Sequence, residues 1–434
     1  MATKRKSEKK PEKAAAVSES GREDASSGSV ESGSEEKTVR KPASTVKKAQ
    51  KTIGEQEQAE NTEAVKPMKA AANSAEGDEK TAEKTHTSKK AHKTHGDKTA
   101  ASVRKRSTAG RASEPLPQKF LVELAEEIRK VVEPLARNIK GGTETEGTAQ
   151  SGDVTFQLDK VAEKALFHFL RRSGLPLAYY SEDAGYSTFS SEKPKYLLIV
   201  DPVDGSRAAR SGFEGCVVSI ATTRVIERPT MADVDNACVA EILGNRVFYA
   251  ERGKGVKILV DGHLRRPKLS ENDHLDVLRW SMTVPGRPAS LIFTTVYKLL
   301  EQSSLRGGFF ACNSTAYSLT RLLTNQLDAC VDVANRFLRD APDKSRPHFE
   351  RAGNSRVVCM APYDLAAALL IAEEAGCVVT DAYGNRFDDV LMLDSTESNQ
   401  LSLVAAANRK LHAKLLEFLD RRIRQVEERL QQLG

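Results

Sequence analysis

Residues 1–114 contain no phenylalanine, tryptophan, tyrosine or cysteine. A segment so poor in large apolar side chains cannot bury enough surface to offset the entropy of ordering its backbone. Lys, Glu, Ala, Ser and Thr fill it instead, so it reads as a disordered, solvated tail. It carries 25 Lys and Arg against 18 Asp and Glu, a net of +7, while residues 115–434 hold 41 against 42, a net of −1. The positive charge of the chain therefore belongs to its tail. Membrane-length apolar runs are absent, and the N-terminus lacks the apolar core of a signal peptide. The six cysteines (216, 238, 312, 330, 359 and 377) form no Cys-x-x-Cys pair and sit among apolar neighbours. Reduced thiols in a cytoplasmic protein with no membrane partner are the simplest account.

About 320 residues follow the tail, more than one core usually holds, which implies two packed subdomains, roughly 115–260 and 261–434. Apolar spacing predicts a first helix over 117–138 and a second over 160–172. Between them lies a Gly/Thr/Ser-rich loop, 141–152. Strands and helices then alternate to about residue 250, followed by a helix from about Ala316 and a strand around 328–333. The stretch 335–358 is rich in Arg and Pro and reads as a surface insertion. A helix over 364–375, a strand over 377–380 and a last helix over about 409–432 complete the chain. The last helix alternates Arg and Glu, so its end is expected to leave the globule or meet a partner.

The most informative segment is Tyr196-Leu-Leu-Ile-Val-Asp201-Pro-Val-Asp204-Gly205-Ser206. Its apolar half reads as a buried strand, and its Pro and Gly force a turn that can aim Asp201 and Asp204 at one point. Carboxylates that close repel unless a proton or a cation stands between them. Glu182 follows another apolar stretch, and Asp364 opens a helix. Together these oxygen donors suit Mg²⁺, the usual partner of phosphate ester chemistry. Singly, each has an ordinary reading: Asp-Pro-x-Asp-Gly is a good turn, Asp364 a good helix cap and Asp159 a common first-turn carboxylate.

With these motifs in order, the chain resembles the inositol monophosphatase family of Mg²⁺-dependent phosphatases, which includes fructose-1,6-bisphosphatases of the bacterial and archaeal type. Asp201 to Ser206 matches its Asp-Pro-Ile/Val-Asp-Gly-Thr/Ser signature. Tyr363-Asp364, eleven residues and then Gly376-Cys377 stand for its Trp-Asp and Gly-Gly. Ala250-Glu-Arg-Gly-Lys-Gly-Val, Asn313-Ser-Thr-Ala-Tyr-Ser-Leu and Leu327-Asp-Ala fall between them in the family's sequence of motifs. The resemblance implies an α/β protein, a layered α/β/α/β sandwich of the sugar phosphatase type behind the disordered tail. It implies two Mg²⁺ ions and leaves a third open. Glu182, Asp201 and the Val203 carbonyl would hold the first ion; Asp201, Asp204 and Asp364 would hold the second. Ser206 and Asp159 would be the catalytic pair. Asp204, Gly205, Ser206 and Thr315 would contact a small phosphorylated polyol or sugar, and a homodimer is expected.

The chain departs from the family after the signature, where Arg207 and Arg210 follow Ser206. Arginines near a phosphate site favour a second anionic group, as in fructose-1,6-bisphosphate or a nucleotide bisphosphate, or else face solvent. Arg210 is the expected substrate contact of the two. A rival reading makes the protein a nucleic-acid or partner-binding molecule that keeps the fold and binds nucleic acid through its tail. No aromatic residue interleaves those charges, which excludes base stacking by the tail.

Overall fold

The computed structural model describes residues 114–138, 145–149, 152–189 and 192–432, so the charged tail and parts of the 141–152 loop lie outside it. Helix α1 (Gln118–Arg137) buries Leu121, Leu124, Ala125, Ile128 and Val132 along one stripe. A short hairpin, β1 (Thr145–Thr148) and β2 (Val154–Phe156), leads into helix α2 (Gln157–Arg172). Strands β3 (Leu177–Ser181), β4 (Gly185–Thr188) and β5 (Tyr196–Asp204) and the one-turn helix α3 (Ser206–Arg210) follow. Strands β6 (Val217–Thr223), β7 (Asn236–Glu241), β8 (Arg246–Glu251), β9 (Val256–Val260) and β10 (His263–Arg265) complete an eight-stranded sheet. Its order is β10-β9-β8-β7-β6-β5-β3-β4, and only the β3–β5 pair is parallel.

A second sheet, of five strands in the order β12-β11-β13-β15-β14, joins β11 (Arg279–Met282), β12 (Gly308–Phe310), β13 (Ala329–Asp332), β14 (Val378–Thr380) and β15 (Leu403–Ala406). Its helices are α4 (Ala289–Ser303), α5 (Thr315–Leu323), α6 (Ala334–Asp340), α7 (Pro342–Ala352), α8 (Pro362–Ala375) and α9 (Arg409–Gln432).

Side-chain alternation along β5 sets the layers. Leu198 and Val200 point to the core under α1 and α2, whereas Leu197 and Ile199 point to the core around α5 and α8. Helix α8 is buried on nearly every side because it lies between the two sheets. The expected α/β/α/β order is present, and α4 and α9 add a layer on the outer face of the small sheet. Among the described residues no helix is long and apolar enough to cross a membrane.

Two expectations need correction. The stretch 335–358 is no surface insertion: α6 and α7 bury Phe337 and Phe349 completely. Its arginines misled because their charges are answered inside the fold. Arg336 donates to Asp340 at 3.0 Å, to Asp420 at 2.6 Å and to the Ala382 carbonyl at 2.8 Å. Helix α9 likewise stays on the globule, burying Leu411, Leu415, Phe418, Leu419, Ile423 and Val426. Phe349→Ala should therefore cost about 3–5 kcal/mol in denaturant unfolding; a surface insertion would change stability by less than about 0.5 kcal/mol.

Candidate active site

Strand β5 pairs with β6 in a register that slips between Asp201 and Asp204. Pro202 offers no N–H to the ladder, so the slip is where the strand can turn its polar groups away from pairing. The Val203 N–H donates to Asp201 Oδ1 at 3.0 Å. Gly205 then takes φ +95°, a conformation that costs a side-chain-bearing residue, and a Cβ there would strike the Gly215 carbonyl. This turn carries the chain into Ser206.

The start of α5 is aimed at Asp204. Its carboxylate accepts from the Ala316 N–H at 2.6 Å, and from the Thr315 N–H and the Ser314 hydroxyl. Thr315, read from the sequence as a packing residue or a backbone contact to substrate, gives its N–H to Asp204. Asp364 stands in the first turn of α8 and accepts from the Ala361 N–H at 2.7 Å. Glu182 occupies the turn between β3 and β4.

These four carboxylates act on one another. Burial, then repulsion from Asp364, Asp153 and Asp159, holds Glu182 well above the usual carboxylate range. Asp201 is raised well above that range by burial and by Asp204, Glu182 and Asp364. Burial lifts Asp204 to about 6, and burial with repulsion from Asp204 lifts Asp364 to about 8. All four cannot be ionised together near neutrality without a counter-charge. Among the described residues no three Asp, Glu, His or Cys side chains are drawn into a finished cation cage. Like charges stand apart until a cation draws them in, and this oxygen-only donor set fits a hard divalent ion such as Mg²⁺.

Beside them, Ser206 Oγ lies 2.7 Å from Asp159 Oδ1 and 2.9 Å from the Val203 carbonyl. One hydroxyl proton cannot serve both acceptors at once, so the hydroxyl can give it to either. Asp159 is fixed from behind by the Phe156 N–H, which donates to Oδ2 at 2.8 Å and closes the first turn of α2. Burial, with repulsion from Asp183 and Asp153, raises Asp159 to about 7.

The arginines sort differently from the expectation. Arg207 donates to both oxygens of Asp153, at 2.6 and 3.1 Å. Arg210, expected at the substrate, stacks its guanidinium 4.1 Å over the Phe156 ring, which packs into the α1–α2 core. The basic group acting on Asp204 and Asp364 is Arg287, which the sequence reading missed. It is buried and donates twice to Asp332 Oδ2, at 2.6 and 3.0 Å. Only an acid at the end of a buried strand hinted at this pair. Glu163 was missed as well; it accepts from the Ser181 hydroxyl at 2.9 Å and burial raises it to about 7.

Carboxylates raised in the folded state bind protons that the unfolded chain has already lost. Their contribution to stability is complete below about pH 4 and is lost as pH rises through the folded values, which are about 6 for Asp204 and about 8 for Asp364. In a chelator the melting temperature should fall between pH 5 and 8, and millimolar Mg²⁺ should restore it most at the alkaline end. A Mg²⁺ effect that is absent or equal at both ends would contradict this electrostatic picture.

Residues 117–424 match the model of the inositol monophosphatase family. A fructose-1,6-bisphosphatase/inositol-1-monophosphatase from Methanothermobacter thermautotrophicus is 27% identical over 312 residues, which is 69% of this chain and 95% of that protein. The Nus factor SuhB of Vibrio cholerae is 25% identical over 59% of this chain and 82% of its own. The crystal structure of the extragenic suppressor protein suhB from Bartonella henselae shares the fold, with a TM-score of 0.51 and 19% identity over 69% of this chain and 97% of that one. The match spans both sheets and every carboxylate described above: this chain belongs to the inositol monophosphatase family.

Proposed function

We propose that the chain is a Mg²⁺-dependent phosphomonoesterase acting on a small polyol or sugar phosphate. Inositol monophosphate is the first candidate and fructose-1,6-bisphosphate the second. The observation that carries this reading is the hydroxyl–carboxylate pair, Ser206 to Asp159 at 2.7 Å, set beside the mutually repelling carboxylates of Glu182, Asp201, Asp204 and Asp364. The relative from Methanothermobacter thermautotrophicus, named for both activities, supports both substrates.

In this reading Glu182, Asp201 and the Val203 carbonyl would hold one ion, and Asp201, Asp204 and Asp364 would hold the other. Such ions supply positive charge that acidifies a water and stabilises a leaving alkoxide. The chain's own groups manage the proton. Ser206 Oγ accepts a proton from the attacking water as its own passes to Asp159 Oδ1. Asp159, raised to about 7 by burial, can hold that proton and return it near neutral pH. The Gly205 and Ser206 backbone N–H groups are the proposed phosphate contacts, donors that add no charge. The Phe156 N–H keeps Asp159 facing Ser206 throughout.

Phosphate release from inositol-1-phosphate and from fructose-1,6-bisphosphate, with and without Mg²⁺, tests the proposal. Asp159→Asn should lower kcat by about 100-fold or more with a small change in KM, and Asp204→Asn should abolish the Mg²⁺ response. Unchanged kcat in Asp159→Asn would remove the proposed base.

A further inference from the structure

Three of the four site carboxylates are held directly. Asp201 accepts from the Val203 N–H, Asp204 from the first turn of α5 and Asp364 from the Ala361 N–H. Among the described residues no hydrogen bond reaches the Glu182 carboxylate. Its place is set by the turn that carries it.

That turn is tied on both sides of Glu182. The Ser181 hydroxyl donates to Glu163 Oε1 at 2.9 Å and accepts from the Ala184 N–H at 3.3 Å. Asp183 Oδ1 accepts from the Thr155 hydroxyl at 2.7 Å, and Asp183 Oδ2 lies 3.5 Å from Lys160 Nζ. Ser181 and Thr155 are buried, so a bond lost here leaves a polar group with no water to replace it. The ties converge on one element. Lys160 and Glu163 stand on the first two turns of α2, and Thr155 leads into it. The same turns hold Asp159, the partner of Ser206. One helix start therefore fixes both the hydroxyl–carboxylate pair and the backbone on either side of Glu182.

We propose that Thr155, Lys160 and Glu163 are positioning residues, acting through Ser181 and Asp183 to aim Glu182 at a divalent cation. The proposal rests on the reading of Glu182 as a ligand of the phosphomonoesterase site. A carboxylate without donors of its own loses its aim when its turn loosens. Outer partners of this kind are worth about ten- to a hundredfold in metal affinity.

Calorimetric titration of the metal-free protein with Mg²⁺ tests the proposal. Glu182→Gln identifies the ion concerned as the one whose binding it removes. Thr155→Val and Ser181→Ala each delete one hydroxyl and change no charge, so an altered affinity reports geometry. Each should raise the dissociation constant of that ion about tenfold, and Thr155→Ser should restore it. Lys160→Met keeps both hydroxyls and alters a half-exposed side chain, so it decides the matter alone if the buried variants fail to fold. Loss of a positive charge would by itself tighten cation binding. The positioning role predicts the opposite, a weakening of about threefold. Affinity unchanged in Thr155→Val and Ser181→Ala, or unchanged or tightened in Lys160→Met, would overturn the proposal. A weakening that Thr155→Ser fails to restore would do the same. A wild type that binds no Mg²⁺ would overturn it together with the metal reading. Binding weakened as expected, with no phosphate released from inositol-1-phosphate or fructose-1,6-bisphosphate, would sink the phosphomonoesterase reading and keep the positioning role.

Discussion

Four carboxylates close enough to repel one another cannot all carry charge, and much of this structure is arranged around that constraint. Glu182 and the Asp201–Asp204 pair come from the eight-stranded sheet, and Asp364 comes from the helix between the sheets. Burial raises every one of them, and their mutual repulsion adds to it. The protein partly offsets the repulsion with dipoles and one cation. Asp204 takes the first N–H groups of α5, Asp364 takes the Ala361 N–H, and Arg287 acts on both. Neutral donors of this kind hold a carboxylate in place without cancelling its charge. The remaining charge is what a divalent cation would answer.

The layers exist to bring those elements to one edge. The alternation along β5 commits one of its faces to α1 and α2 and the other to α8, so the strand's end opens where α5 and α8 begin. The register slip next to Pro202 and the left-handed Gly205 convert a regular strand into a turn within four residues. Ser206 emerges from that turn already bonded to Asp159, which α2 holds from the far side. Both halves of the hydroxyl–carboxylate pair are therefore fixed by backbone, not by long flexible side chains.

How much of this the sequence disclosed depends on the separation of the partners. Asp201, Asp204, Gly205 and Ser206 fall within six residues, so strand, turn and acids could be read together. Asp364 and Glu182 were legible from the ends of predicted elements. The Ser206–Asp159 bond spans 47 residues and was reached only through the family resemblance. Arg287 and Asp332 lie 45 residues apart with no motif to link them, and the pair went unseen. Arg210 misled because proximity in sequence to the signature did not decide which way it pointed; the Phe156 ring did. The α6–α7 segment misled for the converse reason. Its arginines suggested solvent, yet Arg336 finds Asp420, 84 residues away, and the helices beneath bury two phenylalanines.

The most direct measurement is proton release on Mg²⁺ binding at pH 6.5, by calorimetry of the metal-free protein in two buffers of different ionisation enthalpy. Carboxylates raised as Asp364 is, to about 8, retain protons at that pH and must surrender them as the ion binds. Binding should come with a clear net release of protons, declining as pH rises to 9. Binding without proton release, or no Mg²⁺ binding at all, would contradict it.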